Sequence, residues 1–96
     1  MLNAAVAGSP IKATCSINGT SYSTGMKNTG IKNPKNETIY KGNLGEPSMI
    51  KRWGQESPEL VTFTFTATHS GGTTRTHSVA VIVDDMNKYW QLHRVL

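Results

Sequence analysis

The sequence predicts an α+β fold: a small antiparallel β-meander of about four to six strands covered by one short helix. Three observations predict it. Residues 61–68 alternate Val61, Phe63, Phe65 and Ala67 with Thr62, Thr64, Thr66 and Thr68, the period of a half-buried strand. Gly71-Gly72 interrupts this run and alternation resumes through "VAVIV" (79–83), so the two runs read as a hairpin. "GEPSMIKRWGQ" (45–55) is the one segment with helical spacing: Pro47 suits a first turn, Met49, Ile50 and Trp53 share a face, and Gly54 supplies a stop. The composition agrees. With 36% hydrophobic and 17% charged residues, and Ser, Thr, Asn and Gly making up much of the rest, strands and polar loops are favoured over a helical bundle.

Residues 1–10 are small and apolar without periodicity and read as a flexible N-terminal arm; residues 11–96 read as a single domain. "IKATCSI" (11–17) alternates, with Ile11, Ala13, Cys15 and Ile17 on one face. Asn18-Gly19 is a two-residue hairpin signal, and the partner strand is expected around Tyr22. "GMKNTGIKNPKN" (25–36) is rich in Gly, Asn and Lys and reads as a long, mobile, basic loop. "ETIYKG" (37–42) reads as a short strand.

The C-terminal meander spans 60–96. With Gly71-Gly72 as a two-residue turn, Val61 faces Ile82, Phe63 faces Ala80 and Phe65 faces Ser78. The threonine face then pairs Thr62 with Val81, Thr64 with Val79, Thr66 with His77 and Thr68 with Arg75. "DDMNK" (84–88) is a polar turn, and "YWQLHRVL" (89–96) returns as a last strand with Trp90, Leu92, Arg94 and Leu96 on one face. A long hairpin, an acidic turn, "KYW" and a final strand: this ending resembles that of cystatin-like and NTF2-like domains. The resemblance implies a curved, partly open sheet packed on a helix, in a family with many small envelope and secretion-system members.

The net charge is +4, and it is uneven. The excess lies between Lys27 and Arg52. It fits weak attraction to nucleic acid or an anionic surface and requires neither, since a solvated basic face looks the same. Lys27, Lys32, Lys35 and Lys41, with Tyr22, Tyr40 and Trp53 nearby in sequence, form the candidate polyanion-binding set, over a basic loop 27–52. No run approaches the ~18 apolar residues of a membrane span. "MLNAAVAGSP" lacks the charged n-region and apolar core of an intact signal peptide and reads as the stub of a leader or anchor. The sequons at Asn18 and Asn36 matter only in a eukaryotic secretory setting. Cys15 is alone, which excludes an intramolecular disulfide and a cysteine-based zinc site and suggests a small buried residue.

Candidate chemistry centres on the histidines. A five-residue loop at 84–88 places Val79 opposite His93 and makes His77 and His93 diagonal neighbours, with Arg75 two residues along. One histidine as base, one as acid and an arginine on the phosphate would make a metal-independent nuclease site, as in small toxin domains. Exposed His and Arg among threonines are also the ordinary surface of a sheet. Two imidazoles without a carboxylate or cysteine make an incomplete metal site, and no P-loop or dinucleotide fingerprint occurs, so no cofactor is implied.

The expectation is therefore a non-catalytic binding or assembly module in a secreted, periplasmic (cell-envelope) or phage setting. Its partner is another protein or another copy of itself, met through a sheet face or edge. Thr62, Thr64, Thr66, Arg75 and His77 are the expected interface, and Lys27, Lys32, Lys35 and Lys41 the second patch. The alternatives are polyanion binding through the basic loop and a nuclease-like site at His77, His93 and Arg75.

Overall fold

Two strands that bend midway organise the chain. The computed structural model describes residues 2–45, 59–84 and 89–96. In chain order its strands are β1 (Leu2–Ala7), β2 (Pro10–Ile17), β3 (Thr20–Gly25), β4 (Lys27–Lys32), β5 (Thr38–Gly45), β6 (Glu59–His69), β7 (Thr74–Asp84) and β8 (Tyr89–Val95). They form two antiparallel sheets, ordered β1-β5-β4 and β3-β2-β6-β7-β8.

β2 and β3 form the expected hairpin on Asn18-Gly19. The φ angles of 49° and 80° are the paired positive values that a tight two-residue hairpin turn requires, and Ile17 pairs with Thr20 across it. Past Lys12↔Gly25, Met26 N–H still donates to Ile11 O at 3.2 Å. Beyond that bond both arms leave the large sheet. β1 joins β2 through Gly8-Ser9, where Gly8 takes φ 105°, and β3 joins β4 through Met26. The arms splay, and β5 enters between them. It pairs with β1 from Leu2↔Gly45 to Ala7↔Ile39, and with β4 at Lys27↔Lys41 and Asn28↔Tyr40. Chains that pass from one sheet to another through a bend make the corners at which two sheets close on one core.

β5 fits this gap because of Gly42. A Cβ there would lie 2.6 Å from Thr24 Cγ2, 2.8 Å from the Gly25 carbonyl oxygen and 2.9 Å from Met26 Sδ. The core follows from the resulting overlay. Leu2, Ala4 and Leu44 of the small sheet meet Ala13, Cys15 and Ile17 of β2, Val61 and Phe63 of β6, and Val81 and Val83 of β7. Phe63 is 1% exposed and meets Trp90 edge-on, ring centroids 5.3 Å apart, the arrangement aromatic quadrupoles favour.

Several expectations change. Among the described residues every regular element is a strand, so the α+β fold is replaced by an all-β one. Among the described residues a second sheet covers the large one, in the place that the cystatin-like and NTF2-like resemblance gives to a helix. The helix expected over 45–55 lies outside the described residues except for Gly45, which ends β5. No helix of the described residues is long and apolar enough to cross a membrane, a statement that leaves strands out of account. Residues 2–7, read as an arm, form β1, with Leu2 and Ala4 buried.

Half of the segment read as a mobile basic loop is β4. It ends in a turn built on Asn33, whose Oδ1 accepts from Lys35 N–H at 3.0 Å and Glu37 N–H at 2.9 Å. Residues 46–52 of the basic loop lie outside the described residues.

The long hairpin exists, with its register moved by one residue. Its loop is Ser70-Gly71-Gly72, closed by His69 N–H to Thr73 O at 2.8 Å and Gly72 N–H to His69 O at 3.0 Å. Gly71 and Gly72 have φ of 91° and 89°, open only to glycine without strain. One more loop residue than expected pairs Val61 with Val81, Phe63 with Val79 and Phe65 with His77. The β6 faces stay as read, but β7 is turned over, and Val79, Val81 and Val83 join the aromatic row.

Phe63→Ala should cost about 3–5 kcal/mol in urea unfolding, the range for an aromatic truncated in a closed core. A loss below about 1 kcal/mol would mean that Phe63 does not face the second sheet.

Candidate functional site

The turn length decides where the candidate residues go. Thr62, Thr64 and Thr66 stay on the outer face of the large sheet. There Thr64 Oγ1 lies 3.1 Å from Ser78 Oγ, and Thr66 Oγ1 lies 3.4 Å from Thr76 Oγ1. These hydroxyls satisfy one another across the strands, as threonine pairs on a solvated face do.

Arg75 and His77 are not with them. Arg75 sits opposite Ala67 and His77 opposite Phe65, on the face that carries the core, at the turn end of the hairpin. β1 passes over this end without pairing to it, because the bend at Gly8 has moved it into the small sheet. The space between is a groove of about 370 Å³, lined by Asn3 to Val6 on one side and by Phe65, Ala67, Arg75 and His77 on the other. Both inward Ala4 and outward Asn3 and Ala5 line it, so it runs along the free edge of β1.

His93 joins neither site. Ala80 pairs with Arg94 and Val81 with Leu92, which leaves His93 as the extra residue of a bulge in β8. Arg94 therefore no longer shares a face with Trp90 and Leu92. His93 lies level with the Ala80–Val81 step, three to four residues along β7 from His77, roughly 10–13 Å at strand rise. The expected diagonal contact of His77 with His93 is absent, and with it the compact His77, His93 and Arg75 constellation. Among the described residues no three His, Cys, Asp or Glu side chains converge in a metal-holding group.

The lysines fare differently. β4, the Asn33 turn and β5 carry Lys27, Lys32, Lys35 and Lys41, all exposed, on one hairpin. Lys27 lies directly opposite Lys41, and Lys32 opposite Thr38. Tyr22 packs against the core and does not belong to this surface; Trp53 lies outside the described residues. The large sheet ends on β8, where Leu92 and Val95 are 59% and 60% exposed.

His69 is a structural residue that the sequence pattern did not single out. Its Nε2 lies 3.3 Å from Ala7 O, and its ring packs 3.4 Å from where a Gly8 Cβ would sit. Beside it Ser70 N–H donates to Ser9 O at 3.0 Å, and the Ser9 and Ser70 hydroxyls are 2.9 Å apart. The hairpin turn is thereby clipped to the β1–β2 bend. Nothing in periodicity marks such a residue; the bend itself has to be known first.

No family model, curated protein or solved structure matches this chain, so the reading of its surfaces rests on their geometry and chemistry.

Cys15 carries no nucleophilic chemistry at neutral pH. It is fully buried, and burial pushes its thiol from 9.0 up to about 11, because the thiolate cannot be solvated there. Two pH units mean roughly a hundredfold less thiolate than a free cysteine at the same pH. Ellman's reagent should leave the folded protein unmodified at pH 8 and titrate one thiol on unfolding. The protonated form is the one the fold favours, so stability should be level with respect to this group below pH 9 and fall between pH 9 and 11. Rapid modification of the folded protein would place Cys15 outside the core.

Proposed function

We propose that the chain is a protein-binding module that receives an extended, acidic segment of a partner in the groove between β1 and the β6–β7 hairpin. The observation that carries this is the composition of the groove. A free strand edge, an apolar floor and a cationic rim converge on one space of about 370 Å³. A strand edge offers main-chain donors and acceptors, which give an added strand its affinity; side-chain pockets beside it give selectivity. Phe65 and Ala67 supply apolar surface, and the volume falls within the range of binding pockets. Arg75 presents a planar fork suited to a carboxylate, with His77 two residues along on the same face. No carboxylate stands among the groove's described lining residues, so the partner is the natural source of one. A secreted, cell-envelope or phage setting is part of this proposal, on composition alone.

A panel of fluorescent eight-residue β-prone peptides, acidic, neutral and basic, tests the reading by anisotropy. Acidic peptides should bind best and slow hydrogen exchange at Asn3–Val6, and Arg75→Glu should weaken them by about tenfold or more. A panel in which peptide charge has no effect, or in which β1 amides gain no protection, would refute it.

A further inference from the structure

A second surface has a different chemistry. Lys27 and Lys41 are cross-strand partners in the β4–β5 ladder and both are exposed. Like charges directly opposite on a sheet repel and reduce its stability. The usual relief is a neighbouring carboxylate, and among the described residues that line the groove around this pair there is none. The carboxylate of this hairpin, Glu37, is at the turn and accepts from Asn33 Nδ2 at 3.1 Å. The groove measures about 780 Å³ and runs along the small sheet from the lysine pair to the paired Asn3 and Asn43, two residues or about 7 Å away.

We propose that this groove is a binding site for an anionic polysaccharide, a sugar chain bearing sulfate or phosphate groups. The two ammonium groups take the anionic substituent, which removes their mutual repulsion. The flanking groups suit sugar hydroxyls. Asn43, two residues from Lys41 on the same face, is held by Gly45 N–H, which donates to its amide oxygen at 2.7 Å, and its ladder partner Asn3 adds a second amide. Nucleic acid fits less well. No aromatic side chain stands among the described lining residues to stack a base, and the cations are lysines, which act as point charges, not arginine forks. The two grooves share Asn3, Ala4 and Ala5 of β1, but their cations are separate, so Lys27 and Lys41 test this site and Arg75 tests the other.

The test is titration of the full chain with dextran sulfate, neutral dextran and single-stranded poly(U) across a salt series, followed by anisotropy or calorimetry. Dextran sulfate should bind, more weakly as salt rises, and neutral dextran should not. Lys27→Gln with Lys41→Gln should weaken binding by about tenfold or more, whereas Lys12→Gln with Arg94→Gln, the same charge removed elsewhere, should cost less than about threefold. The first double variant should also melt at the same temperature or higher, since the repulsion goes with the lysines. Equal losses in both double variants would reduce the effect to net charge and overturn the site. Tighter binding of poly(U) than of dextran sulfate would overturn the ligand class, and absence of dextran sulfate binding would overturn the proposal outright.

Discussion

The close approach of β5 to the β3–β4 bend holds the rest of the structure in place. Gly42 lies where any side chain would overlap Thr24, Met26 and the Gly25 carbonyl oxygen. That contact lets β5 slide between the splayed arms β1 and β4. With β5 in place the small sheet exists, and Leu2, Ala4 and Leu44 can cover Cys15, Ile17 and Phe63. Without it the large sheet would keep its inner apolar row in water. A 96-residue chain has little other apolar surface with which to replace that burial.

The two candidate surfaces derive from the bend at Gly8 and from the place of β5. Because Gly8 turns β1 out of the large sheet, β1 runs over the hairpin's turn end as a free edge, and Arg75 and His77 border the space beneath it. His69 and Ser70 fasten that bend to the hairpin, so the groove has one wall clipped to the other at its end. On the small sheet, β5 brings Lys41 beside Lys27, an arrangement that weakens the ladder unless something anionic sits on it. Stability given up at a surface position in this way is a recurrent mark of a functional site.

The strands were legible where alternation was strong. β6 and the Asn18-Gly19 hairpin were readable because Phe and Ile against Thr and Ser contrast sharply in hydropathy. β1 was hidden because its alternation is Leu2-Asn3-Ala4-Ala5, and alanine contrasts little with either face. β4, "KNTGIK", has no apolar row, and as an edge strand it needs none; only the demand of β5 for a second partner marks it. Site residues were legible as types and not as neighbours. Arg75 and His77 changed faces because one more residue joined the turn, and side-chain direction reverses with each residue of slip. His93 left its expected position through a bulge, a two-against-one pairing that no residue of "QLHRV" signals. The four lysines were visible from the start, but their concentration on one hairpin required the ladder.

The most direct test of this architecture is Gly42→Ala, followed by urea unfolding and amide hydrogen exchange. Gly42 does not require a glycine-only backbone angle, so alanine, which is favoured over glycine within a strand by roughly 0.5–1 kcal/mol, would ordinarily help. The account predicts the opposite: a loss of about 1–3 kcal/mol from overpacking against the bend, with β1 and β5 amides losing protection ahead of β6 and β7. Unchanged or increased stability, with β1 protected as before, would contradict it.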